Sequence, residues 1–235
     1  MADDNRRAPA PSSTRAEIDA FLKTAQTLPS SRLASGGRGR LLFALDATIS
    51  RQPTWDMAKT LQADMFREAA ATSGLDIQLI YYRGIGECRA TPWVADAETL
   101  ARLMDKINCR EGLTQIGKIL GHARKETATR KLNAVVFVGD AMEESVDDLC
   151  GRAGELGLMG VPVFVFQEGD DPAAADVFKK IAKLSNGAYC RFSPGSAREL
   201  AELLRAVAAY AAGGLKALQN AKASAGATKL LAQLR

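Results

Sequence analysis

From residue 41 onward, runs that are apolar at nearly every position alternate with longer stretches whose apolar residues recur every three or four positions. The runs are LLFAL (41–45), IQLIYY (77–82), NAVVFV (133–138), VPVFVF (161–166) and AYCRF (188–192). Successive apolar residues suit a strand covered on both faces, as inside a parallel sheet. The stretches between predict helices over 54–72, 97–108, 115–129, 145–158, 173–185 and 196–212. Strand and helix in turn predict crossover units, hence an α/β, doubly wound, mostly parallel sheet with helices on both faces. A weaker strand over about 88–94 follows Gly84 and Gly86 too closely for a helical crossover. It is placed as an antiparallel edge strand, where Pro92 is tolerated, which makes about six strands in all.

The ends read differently. Residues 1–13 are polar and rich in Pro, Ser and Ala, a composition that predicts a disordered tail. Thr14 and Glu17 form a T-x-x-E capping box ahead of Ile18, Phe21, Leu22 and Ala25, so a short helix is expected to about Leu28, then a Gly/Ser-rich linker to residue 40. After Gly213 and Gly214, the leucines at 215, 218, 230, 231 and 234 lie in an Ala- and Lys-rich background that favours helix. This tail, 213–235, either frays, packs on the domain or docks a partner. The expected organisation is therefore a main domain over 41–212 with accessory segments on either side.

Composition narrows the function. The 235 residues suit one such domain, and 47% hydrophobic with 25% charged residues is ordinary for a globular chain. A net charge of +4 without a long Lys/Arg run gives no support for nucleic-acid binding. No apolar run follows the N-terminal basic residues, and none approaches eighteen residues, so neither a secretory signal nor a membrane span is expected. Cys88, Cys109, Cys150 and Cys190 form no C-x-x-C pair. They read as reduced thiols of a cytoplasmic protein. The sole histidine, His122, has no cysteine near it in sequence, which argues against zinc.

Candidate chemistry gathers at strand ends. Asp46 follows the first strong strand and Asp140 follows NAVVFV. In a doubly wound sheet these two carboxyl ends flank the crevice at the topological switch point. Two carboxylates there repel unless a cation or protons intervene. In D-A-T-I-S, Asp46, Thr48 and Ser50 alternate, so one carboxylate and two hydroxyls converge. In E-G-L-T-Q, Gly112 permits a tight loop and Thr114 adds a hydroxyl near a helix start. Oxygen-only ligation suits Mg²⁺ or Mn²⁺, with Ca²⁺ as a further candidate.

The strand-end D-x-[ST]-x-S, the Thr of a Gly-containing loop and the later strand ending in Asp resemble the von Willebrand factor A (VWA) domain and its metal-ion-dependent adhesion site, in a bacterial cytoplasmic form. The resemblance covers roughly residues 40–210. It implies the strand order 3-2-1-4-5-6. It also implies that Asp46, Thr48, Ser50, Thr114 and Asp140 hold a divalent cation, directly or through water, with one position open to an Asp or Glu of a partner protein. Two features depart from the pattern: Thr48 stands where serine is usual, and Asp140 is followed by Ala141, not glycine. Arg51, Arg110, Glu143 and Glu144 border the site as rim residues. The arginines are placed to pair with a partner carboxylate, and the glutamates to bind a second cation or repel an acidic partner.

The expected function is thus metal-dependent protein binding by a monomer that is not an enzyme and engages neither nucleic acid nor membrane. Two alternatives stay open. One is a haloacid-dehalogenase-like phosphatase or phosphotransferase with Asp46 as nucleophile, since D-A-T-I-S and Gly139-Asp140 approach that family's motifs. The other is a scaffold with a vestigial metal site. Elsewhere, Tyr81, Tyr82 and Trp93 read as structural aromatics of edge strands. Trp55 either walls the crevice or packs. Cys109 beside Arg110 and the lysines at 179, 180 and 183 read as an inert thiol and a solvated face.

Overall fold

The computed structural model describes residues 37–70, 74–221 and 224–234. The expected N-terminal tail and helix lie outside them. Six strands form one sheet: β1 (Gly39–Asp46), β2 (Leu75–Arg83), β3 (Glu87–Ala90), β4 (Ala134–Gly139), β5 (Val163–Glu168) and β6 (Tyr189–Phe192). Their order is β3-β2-β1-β4-β5-β6, and only β3 runs antiparallel to its neighbour. Every residue of β1, β4 and β5 is buried. That is why these strands read as unbroken apolar runs: both faces are covered.

Helices cover the two faces. On one side lie α1 (Gln52–Ala70), α2 (Ala97–Asp105), α6 (Ala197–Asn220) and α7 (Ala225–Leu231), packed on Leu41, Phe43, Leu45, Val136 and Phe164. On the other lie α3 (Ile116–Thr129), α4 (Val146–Leu158) and α5 (Pro172–Leu184), packed on Leu42, Ala44, Val135, Phe137 and Val165. Alternate residues of each central strand thus feed opposite cores. None of the described helices is long and apolar enough to cross a membrane.

The last long helix does not stop at residue 212. It kinks at Gly214, whose φ of 68° and ψ of −162° leave the helical region, and continues to Asn220. Leu218, Ala227 and Leu230 are fully buried in the same core as β1. Of the alternatives for the tail, packing on the domain is what the structure displays.

Candidate functional site

The parallel register sets Asp46 of β1 opposite Tyr82 of β2, and Leu45 opposite Val138 of β4. Asp46 is therefore the last β1 residue, one step from the end of β4. Its Oδ1 accepts from the Thr48 amide at 2.7 Å, and its Oδ2 from the Tyr82 hydroxyl at 2.9 Å. The first bond bends the chain out of the strand. Thr48 stays extended, and a short 3-10 turn, Ile49–Arg51, then leads into α1. The Thr48 and Ser50 hydroxyls lie 3.3 Å apart. Asp46 and Thr48 are buried and Ser50 is exposed.

Burial raises the Asp46 pKa. Its bonds to Thr48 and Tyr82 hold the rise back, and the negative charge of Asp140 adds to it. The two carboxylates thus feel each other across the junction of β1 and β4. Burial, reinforced by Asp46, also pushes the Tyr82 phenol well above its ordinary range, so it remains a proton donor.

Asp140, about a third exposed, follows β4 and meets the Arg51 guanidinium at 3.3 Å. Arg51 is buried. Its other terminal nitrogen donates to the Thr54 hydroxyl at 2.8 Å and to the Glu168 carboxylate, to which Thr54 also donates. The Gly195 amide donates to the second Glu168 oxygen at 2.9 Å. Burial works against ionisation of Glu168, but Thr54, Gly195 and Arg51 outweigh it and lower its pKa. Arg51 is consequently an internal counter-ion, and the expectation that it pairs with a partner carboxylate is corrected. Its position just after Ser50 turns it inward, where Glu168 at the end of β5 requires a cation.

Thr114 lies two residues before α3. Its amide donates to Glu143 Oε2 at 3.0 Å, and its hydroxyl accepts from the Glu143 amide at 3.1 Å. Glu144 accepts from the Ile116 amide, and from Gly117 at 2.9 Å, which places a carboxylate at the positive end of α3. The two glutamates, read from sequence as second-cation ligands or repulsive charges, instead clamp the Thr114 loop, because free amides at a helix start attract carboxylates.

That loop also holds its neighbours. The Arg110 amide donates to the Ala47 carbonyl at 3.0 Å, and the Leu113 amide to the Gly84 carbonyl at 3.3 Å. The Gln115 side chain donates to the carbonyls of Arg83 and Gly84, both at 3.3 Å. Gly112 lies so close against the backbone of Gly84 that a Cβ would overlap it. The structure therefore joins Asp46, Thr48 and Ser50 directly and Asp140 to Asp46 through their fields. Thr114 is bonded to the loop after Asp140, and no hydrogen bond among the described residues links it to the Asp46 group. No three His, Cys, Asp or Glu side chains among the described residues cluster as a metal site. The oxygen donors here are two carboxylates and three hydroxyls.

Other residues take structural roles. Trp55 packs in the core, edge-on to Tyr81 at 6.1 Å, rather than walling the crevice. Trp93 stacks under Arg40 and donates to Glu126 at 3.1 Å. His122 bonds Gln78 at 2.8 Å. Burial pushes the Cys109 thiol up to about 11, which suppresses the thiolate. Sequence reasoning missed Tyr82 and Glu168. Tyr82 was assigned to an edge strand, but β2 lies between β1 and β3, and its parallel register with β1 was the signal that sets it beside Asp46.

No protein-family model matches the chain, and no curated protein matches it by sequence. Solved structures do match in fold. The VWA domain of SpRpn10 superimposes with a TM-score of 0.55 at 12% identity, covering 67% of this chain and 89% of that one. Proximal thread matrix protein 1 from the mussel byssus gives 0.56 at 18%, covering 75% and 47%. Human COPII-coat protein Sec24c gives 0.55 at 11%, covering 75% and 32%. The chain thus spans under half of the latter two proteins. The fold is VWA-like: a three-layer α/β sandwich with one antiparallel edge strand.

Proposed function

We propose that this chain is a non-enzymatic, protein-binding module that holds a divalent cation at the carboxyl ends of β1 and β4 and offers it to an acidic side chain of a partner. The observation that carries the reading is geometric: buried Asp46 ends β1, Asp140 directly follows the neighbouring β4, and the Thr48 and Ser50 hydroxyls lie 3.3 Å apart just beyond Asp46. The donor set fits a hard cation: Asp46, Thr48, Ser50, Thr114 and Asp140 supply oxygen only, as Mg²⁺ or Mn²⁺ prefers. When bound, the cation would supply a charge-assisted bond to the partner's carboxylate. The chain's own part is to fix the donors: Tyr82 and the Thr48 amide orient Asp46, Glu143 orients Thr114, and Arg51 orients Asp140.

Arg51 also sets an expectation about strength. It offsets one of the two carboxylates, so a cation has less negative charge to neutralise and must share Asp140 with the guanidinium. Weak, readily reversible cation binding follows. The VWA-like fold of the similar structures agrees with an interaction module. An aspartyl nucleophile gains little support, since residue 48 offers no carboxylic acid to serve as acid/base.

The test is Mn²⁺ binding by calorimetry, with thermal unfolding in Mg²⁺. A ligand at a hundred times its Kd stabilises the native state by about 2.7 kcal/mol. Saturable binding and a rise in Tm are expected, both abolished by Asp140→Asn. Absence of any cation effect on the well-folded wild type would sink the proposal, as would turnover of a phosphomonoester that Asp46→Asn removes.

A further inference from the structure

Six large apolar side chains are exposed among the described residues, and three of them crowd the crevice end of the sheet. Ile49 (59% exposed) lies in the turn after Thr48. Ile85 (93%) caps the β2–β3 hairpin. Leu113 (54%) immediately precedes Thr114. The backbone bonds from Arg110 to Ala47 and from Leu113 to Gly84 tie these three loops together. The three loops therefore meet at the carboxyl end of the sheet, although they come from distant stretches of sequence.

This apolar surface does nothing for the fold. A hairpin tip favours Gly, Asn, Asp or Ser. Here Ile85 stands between Gly84 and Gly86, whose φ values of 61° and 130° let the chain turn and push the isoleucine into water. Exposed apolar side chains gathered at one place mark an interaction site.

The charges around them describe the occupant. Arg110 is exposed and makes no ion pair among the described residues, although its field reaches Glu87. Lys118 rests its ammonium on the Gly86 carbonyl at 2.8 Å. Glu111 is exposed on the loop of Leu113. A broad anionic lipid surface would be opposed by Glu111, whereas a single acid aimed at Arg110 is not spread over it. A protein segment with a single acid among apolar residues meets both the free guanidinium and the apolar rim.

We propose that Ile85, Leu113 and Ile49 form the docking surface for an extended segment of a partner protein, in which one Asp or Glu is flanked by bulky apolar side chains. The acid points toward Arg110 and the crevice, and the apolar neighbours cover Ile85 and Leu113. This deepens the binding-module reading and rests on it for the crevice alone.

Selection of phage-displayed random peptides on the immobilised full chain, in Mg²⁺ and in chelator, tests it. Enrichment of sequences pairing Asp or Glu with adjacent Leu, Ile or Phe is expected. The selected peptide, labelled and followed by fluorescence anisotropy, should bind Ile85→Ser/Leu113→Ser at least about tenfold more weakly, a loss of about 1.4 kcal/mol. Circular dichroism and Mn²⁺ affinity of that variant should match the wild type. Equal binding to the variant, enrichment without apolar residues, or no enrichment would each overturn the inference. So would sedimentation with phosphatidylserine vesicles that Ile85→Ser abolishes, since that points to a membrane. Acid–apolar peptides that bind equally in chelator but lose affinity for the variant uphold the surface and overturn the cation's part in it.

Discussion

Replacing Tyr82 with phenylalanine isolates the bond that steadies Asp46. The Tyr82 ring is fully buried and packs near Phe137 at a centroid distance of 6.4 Å, so the substitution keeps the packing and removes one hydroxyl. What disappears is the 2.9 Å donation to a buried carboxylate. Hydrogen bonds to charged groups contribute about 1.5–3 kcal/mol. For a domain of this size that corresponds to a Tm lower by roughly 3–12 °C. The pH dependence adds a signature. Asp46 has a pKa above its ordinary 3.8, so its charged form costs the fold stability at neutral pH, and that cost is relieved as pH falls toward 3.8. Without the Tyr82 donor the pKa rises further, and relief begins at higher pH. The gap between variant and wild type should therefore be widest at neutral pH and narrow as the pH falls toward 3.8. Urea unfolding in chelator, followed by circular dichroism at both pH values with an unchanged m-value, measures it. A variant within about 0.5 kcal/mol of wild type at neutral pH, or a gap that widens on acidification, would refute the assignment of this bond and of Asp46 as the charged acceptor.

Other outcomes follow from the same network. Arg51→Met should cost about 3–5 kcal/mol, because it strands a buried Glu168. Adding Glu168→Gln should restore a large part, and a double-mutant cycle by urea denaturation reads the coupling. Glu144→Gln should destabilise by about 1 kcal/mol through the lost charge at the start of α3, measured the same way. Gly112→Ala should push the Thr114 loop off the hairpin and weaken Mn²⁺ binding in calorimetry while leaving far-ultraviolet circular dichroism unchanged.

The central strands were legible because burial on both faces leaves a mark that no exposed segment imitates: LLFAL, NAVVFV and VPVFVF can be read without neighbours. The strand order came from the VWA resemblance, and the structure displays it. Helix ends shifted by a few residues where caps decide them; Ser145, for instance, accepts from the Asp148 amide and so starts α4 at Val146. Asp46, Thr48 and Ser50 were readable as a group because they are local. Arg51 was not, since its partner Glu168 is 117 positions away and nothing in strand periodicity says which polar end residue will face it. The capping by Glu143 and Glu144 was hidden for the same reason. It depends on how closely the loop after β4 approaches the start of α3, and that distance is set by packing.

The contact between Gly112 and Gly84 is made by main chain alone, which leaves the isoleucine beside it without structural duty. Side chains of any size or chemistry can be exchanged there while both loops keep their places. A photoreactive or fluorescent amino acid at position 85 would thus stand at the mouth of the crevice as a reporter, able to trap or signal whatever arrives.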